Sequence, residues 1–354
     1  MKKLNQIFMA ALMLVAGLNY ASAQSLLPQE SSERRVTPYV NTLTAKAPCR
    51  KAAKAGIILI GGGDTLRACN PCNQPVDGGL SYADICNEYK RKLGSGVNIY
   101  CMPIPTAIEY YCPDAALKWT HPEAPVLNRM FEACSDSVLV VNIYNTLGDH
   151  AAEPIFSRTD HHWAPRGAYY AAEKLCQVAG VPFKDLSNYE EHLIPNFVGT
   201  MPTFSGESEV KKAAEDFYYY TPKDCEYTTT YIQFKVSKQK ITGENAPAEG
   251  QFFKPNPGCA YNTFMGGDTK ITQVRTGVNN GRRIIIFKDS FGNAIPGYLF
   301  YSFEEVHVID FRYFNRNIVT YIKDNKITDV VFANNLTHAC GKASYNAYTR
   351  FLTQ

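Results

Sequence analysis

Two short stretches of this chain carry residue types that can act together chemically. The first is Thr159-Asp160-His161-His162-Trp163, which runs on through Ala164, Pro165, Arg166, Gly167 and Ala168 to Tyr169 and Tyr170. A carboxylate close before an imidazole can hold one ring nitrogen, fix the tautomer and leave the other nitrogen as a base. The second is Lys288-Asp289-Ser290-Phe291-Gly292-Asn293, after the apolar run Arg283 to Phe287 and before a stretch expected to be helical. Ser290 then stands where a strand ends and a helix opens, with backbone N–H groups and the helix dipole ready for a developing oxyanion. Gly292 is expected to let a substrate come close. Taken singly, each stretch has a plainer reading, a capping Asp with surface histidines in one and a capping Ser290 or Asp289 in the other. The serine string is not the GxSxG elbow.

Other chemistry-bearing strings are weaker. Gly61-Gly62-Gly63-Asp64-Thr65 lacks the Lys-Ser/Thr ending of a phosphate loop and the spacing of a dinucleotide fingerprint, and reads as a turn. Cys69-Asn70-Pro71-Cys72 has CxxC spacing within a Pro- and Gly-rich loop, Arg67 to Gly79. No second CxxC completes a zinc site, so a structural disulfide or reduced thiols are expected rather than a redox centre. Asp160-His161-His162 also matches the Asp-His-His string of metal phosphoesterases, but no second cluster of Asp ligands accompanies it. No metal and no cofactor is therefore expected, and a metal-dependent phosphoesterase stands as a remote alternative.

The elements that must position these residues alternate. Gly56–Ile60, Val97–Met102 and Val138–Tyr144 are continuous apolar runs. Runs of that kind suit strands covered on both faces, as in a parallel sheet between helices. Tyr82 to Leu93 and Pro125 to Cys134 read as helices between them, and Pro165 to Gly180 as a helix opened by proline and closed by glycine. From about Val181 to Val278 the chain turns rich in aromatic and β-branched residues, as in Phe217–Tyr220 and Thr228–Val236, which predicts a β-rich insertion with long loops. The alternation then returns, with strands at Arg283–Phe287, Glu305–Asp310 and Asp329–Ala333 and helices at Ala294–Phe303 and Asn317–Asp324. One α/β domain over residues 55–354, interrupted at about 181–278, fits this order.

Composition excludes more than it assigns. The 354 residues are 45% hydrophobic and 19% charged, a globular balance. The formal charge of +3 comes without a dense basic stripe, so nucleic acid is not an expected partner. Lys2 and Lys3, the apolar run Ile7 to Leu18 and Ala21-Ser22-Ala23 have the form of a cleaved export signal over residues 1–23. Its removal takes the charge to +1. Residues 24–54 are expected as a poorly ordered leader. The mature protein is expected outside the cytoplasm, periplasmic or extracellular, where its 11 cysteines, an odd number, can pair only incompletely.

The two chemical strings together resemble the DHHW family, and beyond it the SGNH-like alginate O-acetyltransferase family of bacterial envelopes. Gly167–Ala172, Ile309–Tyr313 and Ile327–Val331 look similar as well. The resemblance implies a three-layer SGNH-like (flavodoxin-like) parallel sheet with permuted motif order, the Asp/His pair preceding the serine. It implies Ser290 as nucleophile, His162 as base in preference to His161, and Asp160 as the orienting carboxylate. His161 would be a substrate contact. By the same topology Asn334 or Asn335 would supply an oxyanion donor, although the usual Gly-x-Asn-Asp string is absent. Arg312 would bind an anionic substrate group or pair with Asp310, and Trp163 and the Phe217–Tyr220 cluster would stack on sugar rings or pack. The implied activity is an esterase or O-acetyltransferase on acyl esters of an extracytoplasmic polysaccharide, partnered by that glycan and by an acyl-donating membrane protein. A non-catalytic glycan-binding or envelope-assembly protein that keeps the fold is the alternative.

Overall fold

The computed structural model describes residues 29–237, 240–255 and 257–354. The expected export signal lies outside the described residues. At the centre are five parallel strands in the spatial order Glu305–Asp310, Arg283–Lys288, Asp329–Ala333, Asn98–Cys101 and Val138–Val140. Ile284 to Ile286, Val330 and Val331 are fully buried, as the unbroken apolar runs require of strands covered on both faces. The helices Leu80–Leu93, Ala124–Ala133 and Lys342–Phe351 pack together as one layer. Pro165–Ala179 packs with Ile143–Asp149 in another. Tyr89 and Tyr348 of the first layer meet Phe287 and Phe332 of the sheet edge to face or tilted, at centroid distances of 5.0–5.8 Å.

Several local outcomes differ from the sequence reading. The run at Gly56–Ile60 forms the strand Ile58–Ile60 in a separate antiparallel sheet with Cys49–Lys51 and Arg67–Cys69. Pairing with chain neighbours closes only short loops. Both faces of that strand are still covered, because Ile57 and Leu59 bury against Met201 and Val210 while Ile58 and Ile60 join the main core. Val138–Tyr144 stops as a strand at Val140, where Asn142 caps the helix Ile143–Asp149. Ala294–Phe303 is not an α-helix but two 3₁₀ turns, Ser290–Ala294 and Pro296–Leu299, since Pro296 interrupts the backbone ladder.

The insertion is β-rich as expected but is not an appendage. Ile271–Thr276 pairs antiparallel with Glu305–Asp310, and Tyr227–Ile232 pairs with Ile271–Thr276 in turn, so the central sheet continues into it. Tyr189–Phe197 and Glu215–Pro222 form a separate two-stranded ribbon. The expected loose leader is, over residues 29–54, a packed segment. Val36 is buried, and the Gln29 side chain bonds both ways with the backbone of Val140 on the outer parallel strand. The eleven cysteines are free thiols, and burial pushes those of Cys69 and Cys72 up to about 12, far from a reactive thiolate. Among the described residues no helix is long and apolar enough to cross a membrane.

Candidate active site

Ser290 follows the strand Arg283–Lys288 at its C-terminal end. That strand lies between Glu305–Asp310 and Asp329–Ala333, which come next in the chain on opposite sides of it. This is a topological switch point, where the loops part and leave a crevice. Asp289 accepts the Phe291 N–H at its side chain (2.9 Å) and the Gly292 N–H at its carbonyl (3.0 Å). Of the first donors of this turn, the Ser290 N–H is the one left over by these bonds.

The Asp-His-His loop reaches the serine from the entry to the helix Pro165–Ala179, whose proline start and left-handed Gly180 end are as expected. Ser290 Oγ lies 2.8 Å from His162 Nε2, and His162 Nδ1 lies 2.6 Å from Asp160 Oδ1. Asp160 Oδ1 also accepts the His162 N–H at 3.0 Å, so one short loop sets both the carboxylate and the ring. Burial by itself would raise the Asp160 pKa, but its hydrogen bond to His162 and the nearby imidazoles hold it well below the usual carboxylate range. His161 lies outside this chain of hydrogen bonds. Its Nδ1 is 2.6 Å from Thr200 Oγ1, and burial, then the neighbouring His162, push its pKa down to about 4.

Sequence reasoning missed the residues that hold this loop, and most come from the insertion. Thr200 donates its N–H to Asp160 Oδ2 at 2.8 Å, with its hydroxyl 3.1 Å from the same oxygen. Gly199 presses so close that a Cβ there would lie 2.3 Å from Asp160. Glu215 accepts the N–H groups of Arg158 and Thr159 and the Thr159 hydroxyl. The Tyr261 ring stacks on His162 at 4.0 Å and 5°. No spacing pattern in the sequence marks these four positions.

Several expected contacts fall elsewhere. Trp163 is fully buried, so it offers no face to a sugar, and its Nε1 donates to Phe291 O (2.8 Å), next to Ser290 in the chain. Phe217 and Tyr220 are likewise buried, although Tyr218 is exposed. Gly292 is needed by the protein itself, since a Cβ there would meet Lys288 Cβ at 2.4 Å, and its N–H is already bonded. Arg312 is held by Asp310 (2.6 Å) and Asp268 (2.8 Å), which leaves the ion pair and not the anion site. Asn334 is fully buried, with Oδ1 accepting the hydroxyls of Tyr82 and Tyr348. Asn335 lines a cavity of about 300 Å³ together with Asp160, His161, Phe291 and His338.

The ligand atoms of Asp160, His161 and His162 lie within 4.8 Å of one another, a spacing a metal ion could bridge. Both His162 nitrogens and one of His161 are already hydrogen-bonded to Asp160, Ser290 and Thr200, which orients the cluster toward proton transfer.

A family model described as DHHW protein matches residues 30–309. A DHHW family protein from Eubacterium siraeum, solved by crystallography, is 36% identical; the alignment covers 86% of this chain and 99% of that one, with a TM-score of 0.77. Bacillus cereus PatB1 is similar in fold at 19% identity, covering 81% of this chain and 99% of its own, with a TM-score of 0.61. Its structure with a sulfonyl adduct aligns at 18% identity over 84% of this chain and 98% of its own, with a TM-score of 0.62. No curated protein matches the chain.

Proposed function

The chain belongs to the DHHW family and has the SGNH-like α/β fold, and from that premise we propose that it is an exported serine acyl-transfer enzyme. Its substrates in this reading are acetyl esters of an extracytoplasmic polysaccharide, and it acts as esterase or O-acetyltransferase according to the acceptor. The observation that carries the reading is the hydrogen-bonded line Ser290 Oγ, His162 Nε2, His162 Nδ1, Asp160 Oδ1, with links of 2.8 and 2.6 Å. A glycan-binding role alone would not need it.

In the proposed reaction Ser290 Oγ attacks the acetyl carbonyl carbon while His162 Nε2 takes its proton. Asp160 stabilises the imidazolium and keeps its orientation. The oxyanion meets the Ser290 N–H and the Asn335 amide, the side-chain donor we assign because Asn334 is sealed away. Collapse breaks the bond to the donor oxygen, which leaves with the proton from Nε2. Water or a sugar hydroxyl then attacks the acyl-enzyme and gives its proton to Nε2, which passes it to Ser290 Oγ as the acyl–oxygen bond breaks and the serine is freed. The glycan, and a membrane protein that supplies the acetyl group, are the partners this scheme calls for. The N-terminal sequence supports export.

The test is hydrolysis of 4-nitrophenyl acetate by the purified mature protein. Ser290→Ala is expected to lower kcat on the order of 10⁴-fold. A chelator is expected to leave the rate unchanged. Undiminished turnover in Ser290→Ala would refute the assignment, and loss of turnover on chelation would point to the metal phosphoesterase reading instead.

A further inference from the structure

The cavity of about 300 Å³ beside the nucleophile has a second imidazole in its wall that the reaction scheme leaves unused. His338 follows the strand Asp329–Ala333, and its side chain is 39% exposed. Its Nδ1 sits 2.9 Å from Asp289 Oδ2 and 3.2 Å from the Asn335 amide nitrogen. Asp289 is the residue before the nucleophile and is fully buried. Burial would raise its pKa, but the His338 hydrogen bond and the Phe291 and Asn335 N–H groups hold it low, so it remains ionised. An ionised carboxylate at Nδ1 fixes the proton there and leaves Nε2 as an acceptor for a ligand hydroxyl.

The remaining lining decides which ligand. The wall combines carboxylates, imidazoles, amides, hydroxyls and thiols with apolar faces such as Phe291 and Leu336, and among the described residues no lysine or arginine contributes to it. Asp160, held ionised, lines it, and ionised Asp289 stands directly behind His338, while burial and then the neighbouring Glu109 push the pKa of Glu123 in the same wall up to about 8. The sequence-predicted anion binder, Arg312, is spent on Asp268 and Asp310. A carboxylate-bearing sugar would lose water here and gain no cation, facing like charge instead. An uncharged sugar would find donors and acceptors for its hydroxyls, in a volume at the lower end of small-ligand sites.

We propose that this cavity is the acceptor subsite for an uncharged sugar, with His338 accepting the hydrogen bond of a sugar hydroxyl and excluding uronic acids as acceptors. The proposal rests on the acyl-transfer reading, yet binding tests it without turnover. Ser290→Ala of the full mature chain is titrated, by ligand-observed NMR, with cello-, xylo- and manno-pentaose and with penta-galacturonate. At least one neutral pentasaccharide is expected to bind roughly tenfold or more tightly than the uronate. His338→Gln in the same background is expected to weaken that binding roughly fivefold or more, as loss of a well-placed hydrogen bond does. His338→Leu guards against glutamine replacing the imidazole acceptor. Uronate binding as tight as the neutral sugars, no binding of any neutral sugar, or unchanged binding in both His338 variants would overturn the proposal. Failure of the wild-type chain to hydrolyse 4-nitrophenyl acetate, with the binding pattern intact, would instead remove the acyl-transfer reading and leave the subsite.

Discussion

At the residue scale, the two adjacent histidines have different surroundings, and those of His161 make it a pH-sensitive point of the native state. His162 is engaged at both nitrogens, whereas His161 lies tilted against it at 3.7 Å and meets the Thr200 hydroxyl at Nδ1. Burial and the neighbouring imidazole bring the His161 pKa from 6.5 down to about 4. In the unfolded chain His161 takes up a proton near pH 6.5, while in the native protein it stays neutral until about 4. The unfolded state therefore binds more protons across that window, and stability falls as the pH drops through it. The depressed pKa values of Asp160 and Asp289 act in a separate range, their contribution being complete above the unfolded carboxylate value and lost only at more acid pH. Urea unfolding at pH 7 and pH 5 should show the wild type losing about 1–2 kcal/mol more than His161→Gln. Equal losses in the two proteins would show that His161 titrates normally. The same residues show what the sequence could disclose of the site. Asp160, His162 and Ser290 were legible because two local strings carry them. Thr200, Tyr261 and His338 were not, because no local string marks them and each acts through tertiary contact alone.

At the scale of elements, the parallel register puts Lys288 opposite Asp310 on neighbouring strands. Their side chains, both fully buried, meet at 2.8 Å just beneath the serine turn. Asp268 bridges this pair to Arg312 and to Asn293 of the turn, so the network ties the ends of two strands to the turn that carries Ser290. Removing one partner strands a buried charge, and Asp310→Asn should lower stability by about 3–5 kcal/mol in chemical denaturation. The double change Lys288→Met with Asp310→Leu should recover much of that loss, since no charge then remains unpaired. If Asp310→Asn costs nothing, the pair does not hold the strand ends. Glu305–Asp310 and Asp329–Ala333 were readable from sequence to the residue, because short stretches rich in Val and Ile, returning after the insertion in step with helical segments, have few other ways to be buried. The 3₁₀ turns at 290–299 were not, since apolar content there is as high but Gly292 and Pro296 break the helical ladder.

At the scale of the whole molecule, residues 29–54 behave as part of the domain. Arg34 donates to Cys134 O, and Asn128 exchanges hydrogen bonds with both backbone groups of Val36. Gln29 satisfies the backbone of Val140 on the outermost parallel strand, and Cys49–Lys51 pairs with Ile58–Ile60. An outer strand stripped of such cover exposes unpaired N–H and C=O groups that invite pairing between chains. Burying Val36 contributes about 1.5 kcal/mol and each retained hydrogen bond about 1 kcal/mol, so losing the segment outweighs any single surface substitution. A chain starting at residue 55 should therefore unfold at markedly lower urea than one starting at residue 24, by several kcal/mol, and should self-associate when concentrated. Light scattering and denaturation of the two chains side by side decide the matter. Indistinguishable midpoints would return residues 29–54 to the role of a passive leader, and the composition that suggested one, polar with scattered basic residues, would have been the better guide than its contacts.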